Sequence, residues 1–216
     1  MFTGIIEEVG TVKSIKISAE GMELEVSSEK LLMGSKVGDS IAVNGVCITA
    51  KKIGSNMFIG DVMKETLSAT SLQNLKANQK VNLETALTLS KPMGGHFVLG
   101  HVDTTGIISK IAKEGFAKVV DISYPSEFKK NLINKGSIAV DGVSLTIHKL
   151  TDLYLQIKLI PHSTSETNLS SISEGDLVNL EFDFLGKYAL NMFMGVKQEE
   201  SSSNISKSFL AENGFL

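Results

Sequence analysis

The sequence predicts a mainly β protein made of two tandem copies of one six-stranded barrel, followed by a C-terminal α-helix. Residues 40–49, SIAVNGVCIT, return at 137–146 as SIAVDGVSLT with seven of ten positions identical. The same offset of 97 residues relates VNLE at 81–84 to VNLE at 178–181. A repeat of this extent is typical of a duplicated domain of roughly ninety residues.

Each repeated stretch predicts a β-hairpin, because an Asn-Gly or Asp-Gly pair that accepts positive φ lies between two β-branched runs. The first copy also predicts strands at residues 9–17, 22–26, 57–63 and 80–87. Short helical segments are predicted at 28–32 and 68–75, and a bend or bulge at Gly10. The second copy repeats the plan, with strands at residues 102–111, 117–122, 153–160 and 177–182. Six short strands separated by turns indicate a closed barrel.

The apolar pattern changes after the second copy. From Leu185 the apolar residues recur at three- and four-residue spacing, which predicts an amphipathic helix. Its apolar face could pack against the same helix of other subunits or against its own barrel, and periodicity does not choose between them. The predicted domains are an N-terminal barrel at 1–97, a C-terminal barrel at 98–184, the helix at 185–198 and a flexible tail at 199–216.

Composition excludes several classes of protein. No apolar run approaches the ~20 residues needed to cross a bilayer, and the start lacks the pattern of a signal peptide, so a cytoplasmic protein without membrane contact is expected. The single cysteine, Cys47, can form no internal disulfide. No two of the four histidines have metal-ligand spacing, so no metal site is expected. All 21 basic residues are lysines, which argues against nucleic-acid binding, since arginine is the usual reader of guanine.

Small polar residues recur at matching places in the two hairpins. Thr49 matches Thr146, and Cys47 matches Ser144. Single hydroxyl groups beside a turn usually satisfy local backbone groups. Two equivalent sets also fit two similar pockets for a flat ligand rich in heteroatoms. The hairpins alone leave both interpretations open.

Several motifs, in their order along the chain, resemble those of the alpha-type riboflavin synthase family. They are MFTGI at 1–5, NGVCIT at 44–49, MKETL at 63–67, GGHF at 94–97 with GHV at 100–102, and DGVSLT at 141–146. The resemblance covers essentially all 216 residues. It implies two Greek-key barrels, a homotrimer held by the C-terminal helices, and a site between the N-barrel of one subunit and the C-barrel of the next.

The resemblance also implies the reaction and its substrate. Two molecules of 6,7-dimethyl-8-ribityllumazine would give riboflavin and 5-amino-6-ribitylamino-pyrimidinedione by transfer of a four-carbon unit, without a cofactor or metal. Some members of the family lie inside a shell of lumazine synthase. Residues 208–216, apolar and preceded by a serine-rich spacer, are therefore a candidate docking peptide; the alternative is a tail that folds onto its own trimer.

Substrate contacts carry over to two pockets by motif. The N-barrel pocket would contain Gly4, Ile5, Ile6, Cys47, Ile48, Thr49, Asp61, Val62, Met63, Lys64, Glu65 and Thr66. The C-barrel pocket would contain Gly100, His101, Val102, Lys135, Ser144, Leu145, Thr146, Ile160, Pro161, His162, Ser163, Thr164 and Ser165. Three of these residues are the expected catalytic groups. His101 would act as general acid or base, and Cys47 and Ser144 would add to carbon 7 of the ring or orient a water.

Plainer interpretations stand beside these roles. Cys47 is also compatible with a small buried hydrophobic residue. Phe2 would either close a pocket against the ligand ring or fill the core. His162 is expected to contact the ribityl chain rather than the reacting ring.

Two other functions fit a fold of this kind. One is a non-catalytic antenna protein that binds lumazine or flavin; such relatives tend to lose the polar residues of one pocket, and both sets are present here. The other is the flavin-binding barrel of a reductase, which would require a nucleotide-binding domain after it. The sequence places only a helix and a tail there.

Overall fold

The computed structural model describes residues 1–200 and 207–214, with side chains given outside 193–200 and 207–209. The chain divides into two compact units, Met1–Phe184 and Leu185–Leu216. The first contains both barrels. The second contains α3 (Phe184–Glu200) from its second residue onward, and α4 (Lys207–Glu212). The spacer was predicted at residues 198–203; its first three residues end α3, and residues 201–203 lie outside the described residues, as do residues 215–216 of the candidate docking peptide.

Two closed six-stranded antiparallel barrels confirm the predicted fold. The strands of the first are β1 (Glu8–Ile17), β2 (Gly21–Ser27), β3 (Ser40–Val43), β4 (Val46–Ile53), β5 (Met57–Met63) and β6 (Lys80–Thr85). Those of the second are β7 (Thr104–Glu114), β8 (Ala117–Ser123), β9 (Ser137–Val140), β10 (Val143–Leu150), β11 (Tyr154–Leu159) and β12 (Leu177–Phe182). Both barrels close in the same order, in which the second strand pairs with the fifth and the sixth lies between the third and the first. Short helices α1 (Lys64–Ala69) and α2 (Pro161–Ser165) follow the fifth strands.

The hairpins form as the Asn-Gly and Asp-Gly pairs predict. Asn44 and Gly45 have φ of 46° and 77°, and Asp141 and Gly142 have 45° and 79°. Along β4, Val46, Ile48 and Ala50 point into the barrel, and the residues between them point outward. Each barrel therefore has its own aliphatic core, and the second strand of each hairpin displays a polar outer face.

Local details of the first barrel differ from the prediction. Residues 28–32 form a turn rather than a helix, because the Glu8 carboxylate accepts the hydroxyl of Ser28 and the N–H groups of Glu29, Lys30 and Leu31. A carboxylate with four donors holds the loop in this shape.

The predicted bulge and second helical segment are also displaced. The register shift of β1 falls between Val12 and Ser14 rather than at Gly10. Gly10 instead allows close packing, since a Cβ there would lie 2.5 Å from Leu83 Cδ1. The helical turn predicted at 68–75 consists of the end of α1 and a 3₁₀ turn at Ser71–Asn74, separated by the extended residue Thr70.

A short ribbon joins the two barrels. Phe2 and Val98 pair as an antiparallel bridge, and the N–H of His96 donates to the carbonyl oxygen of Thr3. We call residues 2–4 and 96–100 the inter-barrel ribbon. Phe2 is fully buried in a cluster with Val98, Ala42 and Ala139, which favours a core role for its ring.

A buried polar network lies beside the hairpin turns. The backbone N–H of Asn82 donates to Asn44, and in the other half the N–H of Asn179 donates to Asp141. The side-chain amide of Asn168 donates to both Asn44 and Asp141. The halves are thus symmetric in geometry but hold one carboxyl group where symmetry would place a second amide.

Among the described helices, none has the length and apolar character needed to span a bilayer.

Candidate functional site

The candidate polar residues lie on the outer walls of the barrels. Cys47 and Thr49 alternate with the core residues of β4, and Ser144 and Thr146 occupy the same register on β10. Cys47 and Ser144 are half-buried, whereas Thr49 and Thr146 are exposed. The strand period of two residues therefore directs a thiol or hydroxyl and a threonine to the same surface in each barrel.

Each of these surfaces is crossed by a glycine of the inter-barrel ribbon. The N–H of Ser144 donates to the carbonyl oxygen of Gly4, with 2.7 Å between nitrogen and oxygen, and the N–H of Cys47 donates to that of Gly100 at 3.0 Å. Gly4 and Gly100 have φ of 75° and 82°. A Cβ on either glycine would lie 2.6 Å from the Cβ of Ser144 or Cys47, so the backbone approach requires glycine.

This pairing corrects the grouping expected from the sequence. Gly4 was expected beside Cys47 and Gly100 beside Ser144; the structure pairs them the other way. Each strand of the ribbon contacts the opposite barrel before the chain enters its own barrel. Two further contacts agree: Ile6 packs against the core of the second barrel, and Val102 packs against the core of the first.

On the basis of these contacts we regroup the predicted residues into two candidate clefts. The candidate N-cleft, called the N-cleft below, contains Cys47, Ile48, Thr49, Asp61, Val62, Met63, Lys64, Glu65, Thr66, Gly100, His101 and Val102. The candidate C-cleft, called the C-cleft below, contains Gly4, Ile5, Ile6, Lys135, Ser144, Leu145, Thr146, Ile160, Pro161, His162, Ser163, Thr164 and Ser165. Ile48 and Val62 contribute backbone alone to the outer surface, because their side chains point into the core.

An exposed apolar side chain lies at or just after the end of the fifth strand of each barrel. Met63 ends β5 and is 67% exposed, and Ile160, which follows β11, is 50% exposed. A cavity of about 510 Å³ adjoins Met63, and one of about 580 Å³ adjoins α2. Both volumes lie in the range of small-molecule sites. Neither cavity is lined by Cys47 or Ser144, which lie on the open wall.

A histidine that sequence reasoning left out of the site contacts Ser144. The Nδ1 of His96 lies 2.7 Å from the Ser144 hydroxyl oxygen. Burial lowers the pKa of His96, and the charge of Asp183 opposes this shift in part. A neutral imidazole can accept the hydroxyl proton, so this pair has the arrangement of a nucleophile and its base. The available signal was the position of His96 inside the GGHF motif.

The other polar candidates have different surroundings. His101 is exposed, and its backbone N–H donates to the carboxyl group of Glu181. Lys135 has a positive φ of 68°, at the position that Gly38 occupies in the first copy, and its Nζ lies 3.3 Å from Nδ1 of His148. Partial burial, Lys135 and Lys158 lower the pKa of His148. Lys135 therefore gives the C-cleft a positive charge at a position where the first copy has glycine, Gly38.

The acidic candidate of the N-cleft is already paired. Lys51 bridges Asp61 and Glu23, with nitrogen to oxygen distances of 3.1 Å to each. Hydrogen bonds to these two carboxylates raise the pKa of Lys51. Over residues 1–200 and 207–214, no three acidic, histidine or cysteine side chains are grouped as metal ligands.

Comparisons with known proteins give one consistent family. The model of the lumazine binding domain family matches residues 3–86 and 99–183. The riboflavin synthase of Bacillus subtilis (strain 168) is 46% identical over 215 residues, covering 100% of both chains. That of Actinobacillus pleuropneumoniae is 43% identical over the same coverage. The crystal structure of LumP complexed with 6,7-dimethyl-8-(1′-D-ribityl) lumazine has a TM-score of 0.75 and 25% identity, covering 84% of this chain and 98% of that one.

Proposed function

The chain belongs to the riboflavin synthase family, an enzyme family with two lumazine-binding domains, and we propose that it converts two 6,7-dimethyl-8-ribityllumazine molecules into riboflavin and 5-amino-6-ribitylamino-pyrimidinedione. Four carbons leave one lumazine and complete the third ring on the other. All atoms and electrons are accounted for by the two substrates. The observation that carries the proposal is the pair of matched clefts, which suits a reaction between two copies of one molecule.

Each cleft would hold one lumazine ring. Thr49 and Thr146 present hydroxyl groups to ring nitrogens or carbonyls, and the exposed Met63 and Ile160 offer apolar contact to the ring face. His162 is exposed in the first turn of α2, and we assign it to the ribityl chain. Replacing His162 with alanine should then weaken binding and leave the turnover of bound substrate unchanged.

The protein's main contribution is to hold two reactive rings together. The lumazine ring is electron-poor, so its methyl group on carbon 7 is acidic and carbon 7 itself accepts a nucleophile. Positioning the two rings face to face can lower the barrier by ~7–11 kcal/mol. Proton transfer by positioned groups adds about two to four powers of ten in rate.

We assign the chemical roles to Ser144, Cys47 and His101. Ser144 has a neutral imidazole within hydrogen-bond distance and can add to carbon 7 or orient a water that does. Cys47 occupies the matching position in the N-cleft, and His101 follows the glycine that contacts it. His101 is then available as acid or base from the open side of that cleft.

Removing the Ser144 hydroxyl is expected to reduce kcat more than the matching change at Cys47. Ser144→Ala should lower kcat by about 100-fold or more, with little change in KM, because the His96-activated hydroxyl is lost. Cys47→Ser should lower kcat by about three- to tenfold, since a serine hydroxyl serves at this position in the other half. Steady-state kinetics measure both, with Ser109→Ala on the outer face of β7 as control. Full turnover in Cys47→Ser would exclude the thiol from the mechanism.

The active site is proposed to lie between subunits of a homotrimer. The openness of both clefts in one chain supports this, because a neighbouring N-cleft would cover a C-cleft and exclude water from the two rings. Sedimentation equilibrium should give three times the chain mass.

Enclosure in a lumazine synthase shell, through residues 208–216, is proposed as well. Co-purification with the shell that survives deletion of residues 201–216 would contradict docking through this segment.

The decisive experiment measures product directly. Purified protein, incubated with 6,7-dimethyl-8-ribityllumazine in the presence and absence of EDTA, should form one riboflavin for every two lumazines consumed at the same rate in both. Chromatography separates the compounds. Tight binding of lumazine without riboflavin would instead indicate the antenna-type function.

A further inference from the structure

Two buried glutamates hold the glycine segments of the inter-barrel ribbon. Glu84 is 1% exposed and Glu181 is 3% exposed. The Glu84 carboxyl accepts the N–H of Thr3 at 2.7 Å and that of Gly4 at 3.0 Å. The Glu181 carboxyl is also a multiple acceptor, binding the N–H groups of Leu99 at 2.5 Å and of Gly100 and His101 at 3.0 Å.

Each glutamate lies in one barrel and holds a segment that contacts the cleft of the other. Glu84 belongs to β6 of the first barrel, yet the residue Gly4, whose N–H it binds, accepts the N–H of Ser144 on β10 with its carbonyl oxygen. Glu181 belongs to β12 of the second barrel, and the Gly100 peptide accepts the N–H of Cys47 on β4. The two connections are related by the duplication.

Hydrogen bonds hold each ribbon glycine on both sides. Its backbone N–H donates to a carboxyl group, and its carbonyl oxygen, in the next peptide group, accepts the N–H of the cleft strand. A carboxyl oxygen is a stronger acceptor for backbone N–H groups than a neutral amide oxygen. Strand register, by contrast, connects each glutamate to the cleft residue of its own barrel: Glu84 pairs with Ala42 and Ala42 with Cys47, and Glu181 pairs with Ala139 and Ala139 with Ser144. The crossed connection is therefore made by the hydrogen bonds to the ribbon alone.

We propose that Glu84 and Glu181 are positioning residues that set the geometry of the cleft on the opposite barrel, Glu84 for Ser144 and Glu181 for Cys47. The two clefts of one chain are thereby linked through the ribbon. That the clefts are lumazine sites rests on the proposed function; the crossed hydrogen bonds do not.

Amide hydrogen exchange of the ligand-free protein tests the crossing. In Glu84→Gln, an NH₂ donor replaces one of the two carboxyl oxygens that accept the ribbon N–H groups. The hydrogen-exchange rate of the Ser144 amide should therefore rise by roughly 10- to 100-fold, while that of the Cys47 amide should change by less than about threefold. In Glu181→Gln the result should be reversed. NMR resolves both amides in each variant.

The control is a glutamate of the first barrel that also binds backbone N–H groups but does not touch the ribbon. Glu8 accepts the N–H groups of Glu29, Lys30 and Leu31, so Glu8→Gln should leave the Ser144 and Cys47 amides unchanged. Equal acceleration of both amides by Glu84→Gln, or acceleration confined to its own barrel, would overturn the proposal. If Glu84→Gln does not fold, Glu84→Asp, which keeps a carboxyl one methylene shorter, is judged by the same crossed pattern.

Substrate titration separates this inference from the proposed function. With lumazine, Glu84→Gln should weaken one of two binding sites per chain by about tenfold or more and leave the other intact, and Glu181→Gln should weaken the other site. Crossed exchange in a protein that forms no riboflavin would retain the linkage and reject the proposed reaction. Riboflavin formation with uncrossed exchange would do the opposite.

Discussion

Gly100→Ala is expected to lower riboflavin formation by about 100-fold and the free energy of unfolding by about 2–5 kcal/mol. Gly100 has φ of 82°, and its Cβ would lie 2.6 Å from Cys47 Cβ and 2.8 Å from Phe2 Cε2. The ribbon must move away from β4, which breaks the bond from Cys47 N–H and displaces His101. Chemical denaturation and steady-state kinetics measure the two losses.

Gly115→Ala is the matched control for this prediction. Gly115 also has a positive φ, 60°, but a Cβ there meets nothing within 4 Å. Its replacement should cost about 1–2 kcal/mol from backbone strain alone and leave activity unchanged. If Gly100→Ala and Gly115→Ala showed the same decrease in unfolding free energy and the same turnover as each other, the close approach of the ribbon to Cys47 would not contribute to activity.

Asp141→Asn is expected to abolish a pH-dependent loss of stability of about 3 kcal/mol. Burial raises the pKa of Asp141 from 3.8 to about 6, against the hydrogen bonds from Asn179 and Asn168 and with a small addition from Asp176. Because the folded state holds the proton more tightly than the unfolded state, the stabilisation is fully present below about pH 4. It is lost as the pH rises through about 6.

The measured quantity is the difference in unfolding free energy between Asp141→Asn and the parent at about pH 4 and about pH 8. The variant should gain roughly 2–3 kcal/mol relative to the parent over this interval. Comparing the two proteins removes the opposite contribution of Glu8, where hydrogen bonds outweigh burial and lower the pKa. Asp152→Asn, at an exposed carboxylate, is the control and should show no such gain. A pH-independent difference for Asp141→Asn would contradict the raised pKa.

Local sequence signals predicted most of the fold. Asn44-Gly45 and Asp141-Gly142 specify the hairpins because few other pairs accept positive φ twice in succession. Alternation along β4, which is also visible in the sequence, directs Cys47 and Thr49 to one surface. The duplication then supplied the matching surface on β10. These inferences depend on neighbours in sequence or on identity between copies, and both can be read directly.

The partners across the ribbon could not be predicted in the same way. The offset between copies shows that Gly4 and Gly100 are equivalent, but not which barrel either one touches. The repeated VNLE does not reveal the partners of Glu84 and Glu181, because hydrogen bonds to segments about eighty residues away leave no local pattern. The helix predicted at 28–32 was wrong for the same reason: the shape of this turn is set by the carboxylate of Glu8, which lies on a strand.

The ribbon also constrains the order in which the chain can acquire its structure during synthesis. Phe2 leaves the ribosome long before Val98, with which it pairs, and Gly4 must wait longer still for Ser144. The first barrel can close on its own strands, yet its amino-terminal segment has no place until most of the second has been translated. Contacts of such long sequence separation form late and slowly. A nascent chain stalled near residue 100 should therefore expose Phe2 to proteases and chaperones, and release from stalling should bury it.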